Sequence, residues 1–363
     1  MNEACSSFTD AQSGDIGVWL PTLRANTGAD RFTERLAAAL NRRRIRAEIT
    51  WLPHRAEYLP WSVKAPTPPA WANITHTNPW LHKRFIPREL PCATTLNSCV
   101  HDPALRPYKS WAQTLYHRHA LYHRERENLA RASIVTAVSN YTAETCKKVF
   151  NYEDIVTIYN WIDTDTFVPA TSRARHGPFR LLFVGSLRLL KGADVLPSIM
   201  ERLGPGYELH FTGTLEELAK FGHLPGNLKP LGRLVKLDEV ISAYQNSDAL
   251  LFPTRLEGLS LVALEAMSCG LPIVASDIAS LPELVTSGET GILCKQDDVD
   301  GFVNAIVELS EHPEATAKMA KLARQRAINE FSEAASIDRY ISIYFSLVRA
   351  SKPPKLVNSE NPC

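Results

Sequence analysis

LLFPTRLEGLSLVALEAMSCGLPIVASD, residues 250–277, moves from an apolar run of strand type through a turn holding Gly258 into a helical segment, and leaves through Gly270 and Pro272 into a second strand. That order is one β–α–β step, and such a step lays its two strands parallel in one sheet. If Gly258 and Leu259 open the helix, the unpaired amides of its first turn and about half a positive charge point beyond the strand ends, where an anion is stabilised. A diphosphate suits that position. Glu257 stands just before the turn and Glu265 about two turns into the helix, so the two carboxylates sit toward opposite ends of one bound ligand.

Outward from this stretch the pattern repeats. On the C-terminal side of the chain the strand-like runs are 180–184, 208–212, 249–253 and 272–275, with helical segments between them. In the first half, 16–20 reads as a strand, 26–28 as a turn, and 31–40 as a helix with apolar residues at helical spacing. Further strands are expected at 47–52, 93–96, 134–138 and 155–158. The Pro- and Trp-rich stretch 53–79 reads as an irregular surface excursion. Residues 164–178, polar with Pro and Gly, are the expected linker, and a long helix runs from 331 to about Ala350. The spacing therefore predicts an α/β protein of two open lobes. An N-terminal lobe spans 14–170 and a C-terminal lobe 178–334; a helix at 335–350 is expected to pack back on the first lobe, and 351–363 is a tail whose composition does not favour packing.

Composition narrows the function. At 363 residues the chain exceeds one ordinary domain, and its 40 Lys and Arg nearly cancel 39 Asp and Glu, which argues against a nucleic-acid-coating role. Seven cysteines without a CxxC pair indicate neither a disulfide framework nor a zinc ribbon and fit a reducing compartment. The start MNEACSSFTDAQSGD lacks the basic and apolar regions of a signal peptide, and no apolar run approaches the length of a bilayer span. The expectation is a cytoplasmic protein. The cluster Arg42, Arg43, Arg44, Arg46, Trp51, His54, Arg55, Tyr58, Trp61 and Lys64 mixes cations with amphipathic aromatics. It is read either as a peripheral contact with the inner face of a membrane or a phosphorylated acceptor, or as a solvated helix end and a Trp-anchored loop.

Glu257 and Glu265, with seven residues between them, resemble the E-x7-E signature of retaining glycosyltransferases of the GT-B fold, family 4. FVGSLRLLKG at 183–192 is similar to that family's phosphate-binding strand and loop, LGRL from Leu231 to its base-binding loop, and GETGIL from Gly288 to its later turn. TGADRFTERLAAAL, VTAVSNYTAE and IYNWIDTDTF resemble segments of its N-terminal lobe and interlobe stretch. The resemblance implies two Rossmann-like α/β/α lobes facing across a cleft, an acceptor side in the first and a nucleotide-sugar site in the second. It implies transfer of a sugar from a nucleoside diphosphate to a glycan or glycolipid hydroxyl, as in surface polysaccharide biosynthesis.

Carried onto this chain, the resemblance assigns Glu257 to the transferred sugar, the backbone of Gly258, Leu259, Ser260 and Leu261 to sugar and phosphate, and Glu265 to ribose hydroxyls. Gly185, Thr214, Arg233 and Leu234 are implied as further donor contacts, and Gly28 lets the first loop approach substrate closely. Arg188 and Lys191 are expected on the leaving diphosphate. The family's common form has an Arg directly after the loop glycine; here Ser186 stands there and Arg188 follows two residues later. These two cations with the helix end supply about two and a half positive charges against about two on a diphosphate, so metal independence and no cofactor are expected.

The family also has a His in a T-x-H pattern at a strand end. Here residues 95–97 read T-L-N, so His101 is the expected cleft histidine, with Asn97 as the alternative. The D-x-D of Asp163 and Asp165 reads as a structural turn, Trp161 replaces a usual Gly beside it, and His117, His119 and His123 read as a solvated basic helix. Rival functions are a nucleotide-sugar epimerase or isomerase on the same fold and a non-catalytic nucleotide-sugar-binding subunit. A dehydrogenase is disfavoured, since no G-x-G-x-x-G follows the first strand of either lobe.

Overall fold

In the computed structural model residues 16–25, 28–171 and 177–351 are described. The N-terminal stretch, the first part of the 26–28 turn, the middle of the linker and the tail lie outside them. Strands β1 (Gly17–Leu23), β2 (Arg46–Leu52), β3 (Ile74–Thr77), β4 (Cys92–Leu96), β5 (Ile134–Ala137) and β6 (Ile155–Thr157) form one sheet in the order β2-β1-β3-β4-β5-β6. Strands β7 (Phe179–Phe183), β8 (Tyr207–Thr212), β9 (Leu228–Gly232), β10 (Ala249–Phe252), β11 (Ile273–Ser276) and β12 (Gly291–Cys294) form the other, ordered β12-β11-β10-β7-β8-β9. Neighbouring strands within both sheets pair parallel.

These orders locate the ligand. In an open parallel sheet the crevice lies beyond the carboxyl ends of the strands where the winding reverses. The reversal falls between β1 and β3 in the first sheet and between β7 and β10 in the second, whose order is that of the doubly wound dinucleotide fold. Four loops therefore define the site: those after β1 and β3, and those after β7 and β10.

The expected strands are present, each displaced by no more than a few residues, but β3 lies inside the stretch read as a surface excursion. Its four residues, Ile-Thr-His-Thr, are all buried in the middle of the sheet. Around it, Leu23, Leu52, Ala56, Val63, Leu81 and Phe85 form a small core of their own. Two of its three polar side chains, His76 and Thr77, are paired, whereas Thr75 Oγ1 is buried without a partner. His76 is hydrogen-bonded through Nδ1 to the Tyr344 hydroxyl at 2.5 Å and through Nε2 to Thr95 Oγ1 at 2.8 Å, and Thr77 Oγ1 donates to the Pro21 carbonyl at 3.2 Å. Strands β9 and β12 were read only as parts of loop motifs.

Tyr344 belongs to the helix Glu333–Ser351, which lies on the first lobe. Among the contacts that hold it are the His76 bond, a Ser336 Oγ bond to the Tyr159 carbonyl at 2.8 Å, an ion pair of Arg42 with Glu333, and a second of Arg43 with Asp338 at 3.0 Å. Two arginines of the basic cluster are thus committed inside the protein, and Arg46 stacks on Trp71, its guanidinium 4.3 Å from the ring centroid. Trp161 fills the seam: its ring packs edge-on to Phe32 at 5.7 Å and Tyr340 at 6.3 Å, and its carbonyl accepts from Arg35. That is the use of the bulk where the family has glycine. Asp163 caps the following turn, accepting from the amides of Asp165 and Thr166 at 3.1 Å and from Thr166 Oγ1 at 2.7 Å.

Burial drives the His76 pKa down to about 3, so the ring is neutral in the folded protein. The unfolded chain takes up this proton below about pH 6.5 and the folded one does not until about pH 3. Stability is therefore complete above pH 6.5 and is lost as pH falls toward 3, by about 1.4 kcal/mol per pH unit from this group. Urea unfolding at pH 7 and pH 5 is expected to show that loss, and His76→Gln to reduce it.

Candidate active site

The loop after β7 carries Lys191 in a tight turn ending at Gly192. Gly192 has φ +69°, and a Cβ there would lie 2.0 Å from the Pro253 carbonyl oxygen, so only glycine lets this loop press against the loop after β10. Arg255 locks the two together. Its buried guanidinium donates to both Asp194 oxygens at 2.7 and 2.8 Å, to Asp297 at 2.7 Å and to the Leu189 carbonyl. Hydrogen bonding to Asp194 holds its pKa above the ordinary value.

Held in this way, Lys191 Nζ donates to Glu257 Oε1 at 2.5 Å, and the same oxygen accepts from Thr254 Oγ1 at 3.0 Å. The helix that follows is Leu261–Ser268, starting two residues later than expected because Ser260 is its N-cap and accepts from the Ala263 amide at 3.2 Å. Leu261 and Val262, whose first-turn amides precede any helical partner, line the same cavity as Lys191.

The other wall comes from the first lobe. Ser139 Oγ donates to the Gly258 carbonyl at 2.5 Å, Thr142 Oγ1 to the same oxygen at 3.3 Å, and Asn160 Nδ2 to the Leu259 carbonyl at 3.2 Å. In return Glu283 accepts from the amides of Asn140 and Tyr141 at 2.8 and 2.7 Å, adding an anionic cap to the helix Asn140–Phe150 from the opposite lobe. Between the lobes lies a cavity of about 460 Å³. The first lobe lines it with Gly28, Ala29 and Arg31 after β1, Asn78, Pro79 and Trp80 after β3, Thr95, Asn97 and Ser98 around the end of β4, and Asn160. The second lobe contributes Lys191 and residues 257–262. All four loops named by the sheet orders are represented.

Residues 165–326 match the family described as glycosyl transferases group 1. That match lies in the C-terminal lobe and covers under half of the chain. The chain is 31% identical over 211 residues to the glycogen synthase of Mycobacterium tuberculosis, a match covering 56% of this chain and 51% of the relative. It is 27% identical over 250 residues to the N-acetyl-alpha-D-glucosaminyl L-malate synthase of Bacillus anthracis, covering 64% of each. The chain thus spans about half the length of the first relative and under two thirds of the second. In fold it is similar to sucrose-phosphate synthase from Thermosynechococcus elongatus, with a TM-score of 0.74 at 17% identity over 92% of this chain and 100% of that one. The Anabaena protein HepE, solved with UDP-glucose, superposes with a TM-score of 0.68 at 18% identity over 90% and 99%. The fold is the two-lobed α/β architecture of the GT-B glycosyltransferases.

Of the residues singled out from sequence, the cavity brings together Gly28, Asn97, Lys191, Glu257, Gly258, Leu259, Ser260 and Leu261. His101 is not among its lining residues. Its Nε2 meets the buried carboxylate of Glu125 at 2.5 Å, and its ring packs edge-on against Tyr122 and Phe150. The other Glu125 oxygen accepts from Trp80 Nε1 at 2.9 Å, so His101 reaches the cavity only by supporting a Trp in its wall. Asn97 holds the cleft position instead.

Arg188 is exposed outside the cavity, and the cation that lines it in addition to Lys191 is Arg31, within the family-like TGADRF segment. Thr214 is an N-cap, its hydroxyl accepting from the Glu217 amide at 3.2 Å. The Gly185 amide donates to Thr212 Oγ1 at 2.9 Å, and Arg233 and Leu234 follow β9; none of these lines the cavity. Glu265 lies one helical turn behind the lining, bonded through Oε2 to the Tyr244 hydroxyl at 2.8 Å. Burial raises its pKa, opposed by the Tyr244 hydrogen bond and by Arg35 and Arg31. His117, read as solvated, is partly buried, and burial lowers its pKa to about 4.

Asn78, Trp80, Ser98 and Asn160 were not singled out. The one signal for Trp80 is the N-P-W run after a strand that was itself hidden.

A Cβ at Gly258 would stand 2.0 Å from the Asn97 carbonyl oxygen. Gly258→Ala must then move one lobe against the other. Ligand affinity is expected to fall by roughly tenfold or more, as for about 1–3 kcal/mol of overpacking, with each lobe still folded; isothermal titration and circular dichroism check both halves.

Proposed function

We propose that the chain transfers a sugar from a nucleoside diphosphate sugar to an acceptor hydroxyl with retention at the anomeric carbon, the donor held by the C-terminal lobe and the acceptor by the first. The observation that carries this reading is the Lys191–Glu257 pair at 2.5 Å beside the open first turn of Leu261–Ser268, inside an interlobe cavity. A diphosphate placed against those amides takes over Lys191 as its counter-ion. Glu257 is then released toward the hydroxyls of the transferred sugar. The bond from the anomeric carbon to the leaving phosphate breaks, a bond to the acceptor oxygen forms, and the acceptor proton passes to a leaving phosphate oxygen. Lys191, Arg31 and the helix end stabilise the charge that develops on the diphosphate. Retention and this same-face route rest on the resemblance to family 4.

The same charges support a metal-independent reaction: Lys191, Arg31 and the helix end match the roughly two negative charges of a diphosphate. On the acceptor side Trp80 offers an apolar face for a sugar ring, flanked by Asn97 and Ser98. A glycan or glycolipid acceptor fits such a wall. The reading places the protein in the cytoplasm, with peripheral contact at the inner face of a membrane; no helix among the described residues is long and apolar enough to cross one.

Lys191→Ala is expected to lower turnover by about a hundredfold or more while the thermal melt stays cooperative, and unchanged transfer would refute the role given to Lys191. A panel of nucleotide sugars identifies the donor by thermal stabilisation, since saturation at 100 times the dissociation constant adds about 2.7 kcal/mol. Excess EDTA is expected to leave the transfer rate unchanged. Nuclear magnetic resonance of the product's anomeric proton decides retention. Trp80→Ala is expected to raise the acceptor KM with little effect on donor binding, a split seen by steady-state kinetics and titration.

A further inference from the structure

The first lobe carries a patch that the cavity does not use. Trp61 is 72% exposed and Trp111 80%, with Tyr58 at 53%, Leu59 at 54% and Leu115 at 52%. These five come from two chain segments that meet. The rings of Tyr58 and Tyr116 lie 5.3 Å apart, and the Tyr116 hydroxyl donates to Glu57 at 3.0 Å. Trp111 and Leu115 are four residues apart on the short helix Trp111–Tyr116 and so share one face of it. That helix is fixed by a capping box of Ser110 and Gln113, so the exposed Trp is presented on an ordered element.

Charge distinguishes the partner. Residues 53–124 contain nine Lys and Arg against three acids, a local excess of six in a chain whose net charge is +1. Two of the three acids, Glu57 and Asp102, are buried. Arg55, Lys64, Arg84 and Arg118 are exposed, together with the rings. Exposed Trp and Tyr interleaved with cations, with acids withdrawn from the surface, match the boundary of an anionic bilayer, where indole and phenol rings settle at headgroup depth and Lys and Arg meet lipid phosphates.

We infer that the face built from 54–64 and 106–118 docks the protein on an anionic lipid surface, and that the acceptor is presented from that surface. The statement deepens the proposed function, giving its peripheral membrane contact a surface and its acceptor a source; the docking itself does not depend on sugar transfer. The segment 78–85 joins the two places. Asn78, Pro79 and Trp80 line the cavity, whereas His82 lies 6.1 Å from the Trp61 ring and Arg84 donates to the Pro60 carbonyl at 2.9 Å. Two to four residues of chain separate Trp80 from these contacts, at most about 7–14 Å of backbone. A headgroup can thus reach the cavity while its lipid tail remains in the bilayer.

The test uses the full chain without donor. Sedimentation with vesicles of equal phosphatidylglycerol and phosphatidylcholine is expected to carry down the protein, less so as salt rises, whereas pure phosphatidylcholine vesicles leave it in solution. A double variant, Trp61→Ser with Trp111→Ser, changes only exposed side chains and is expected to weaken anionic-vesicle binding by about tenfold or more, with an unchanged melting temperature and an unchanged shift on adding nucleotide sugar. Equal binding of wild type and variant overturns the inference, as does wild type that ignores anionic vesicles. A wild-type dimer that the variant dissolves assigns the face to a second copy and overturns it as well. None of these readings involves sugar transfer. Failure of docking and failure of the proposed reaction are therefore separately visible: the second appears with a soluble acceptor, the first with vesicles alone.

Discussion

Everything at the site depends on the lack of a side chain at Gly258. The carbonyl of Asn97 occupies the place a Cβ would take, so at this residue the first lobe approaches the second to backbone contact. Ser139, Thr142 and Asn160 then reach across to the carbonyls of Gly258 and Leu259, and Glu283 returns the contact by capping the helix Asn140–Phe150. The peptide that leads into the Leu261–Ser268 helix is thus fixed from the opposite lobe as well as from its own, where Ser280 Oγ donates to the Glu257 carbonyl at 3.2 Å. Anion affinity at a helix start depends on where its amides point, so the interlobe bonds set the electrostatics of the cavity as well as its width.

The Lys191–Glu257 pair shows how such a cavity holds charge before a ligand arrives. Neither group is freely solvated, with side chains 29% and 11% exposed. An unpaired charge there would suffer the desolvation that makes half-broken buried pairs unstable. Pairing satisfies both until an anion replaces one partner. The lysine does not have to be stripped of water and reoriented at that moment, because Gly192 and the Arg255–Asp194 lock already hold its loop. A preorganised cation is worth more to a charge that develops during reaction than one that must be recruited.

How much of this was legible in the sequence differs between the lobes. The helix start after β10, the Lys191 loop and the two carboxylates could be read because strand, turn and helix follow one another within a few dozen residues. The first lobe was harder. β3 is a four-residue strand of Thr and His whose burial is made tolerable by Tyr344, more than 250 residues away, and no local pattern contains that partner. His101 illustrates the same difficulty in reverse. It lies near the end of β4, as a cleft histidine would, but a buried Glu125 and the rings of Tyr122 and Phe150 turn it away, and Asn97 remains where the backbone of the two lobes meets. Arg31 and Arg188 differ likewise: sequence puts Arg31 at the start of the first helix and Arg188 on the loop after β7, and only the facing of the two reversal points decides which of them lines the cavity.

The division between lobes also bears on specificity. The family match covers residues 165–326, the lobe that supplies Lys191, Glu257 and the helix start. The walls made by Asn78, Trp80, Asn97 and Ser98 lie outside that segment, on loops whose positions follow from sheet order and whose side chains belong to this chain. Two facing reversal points allow the loops of one lobe to vary independently of those of the other, because each sheet presents its own loops to the common space. The Glu125 bridge braces the first-lobe wall: a buried carboxylate with both oxygens engaged fixes the Trp80 indole from behind, and His101 supplies the second hydrogen bond that Glu125 needs to remain buried. His101, expected in the cleft, thus reaches the cavity wall only through Glu125 and the Trp80 ring.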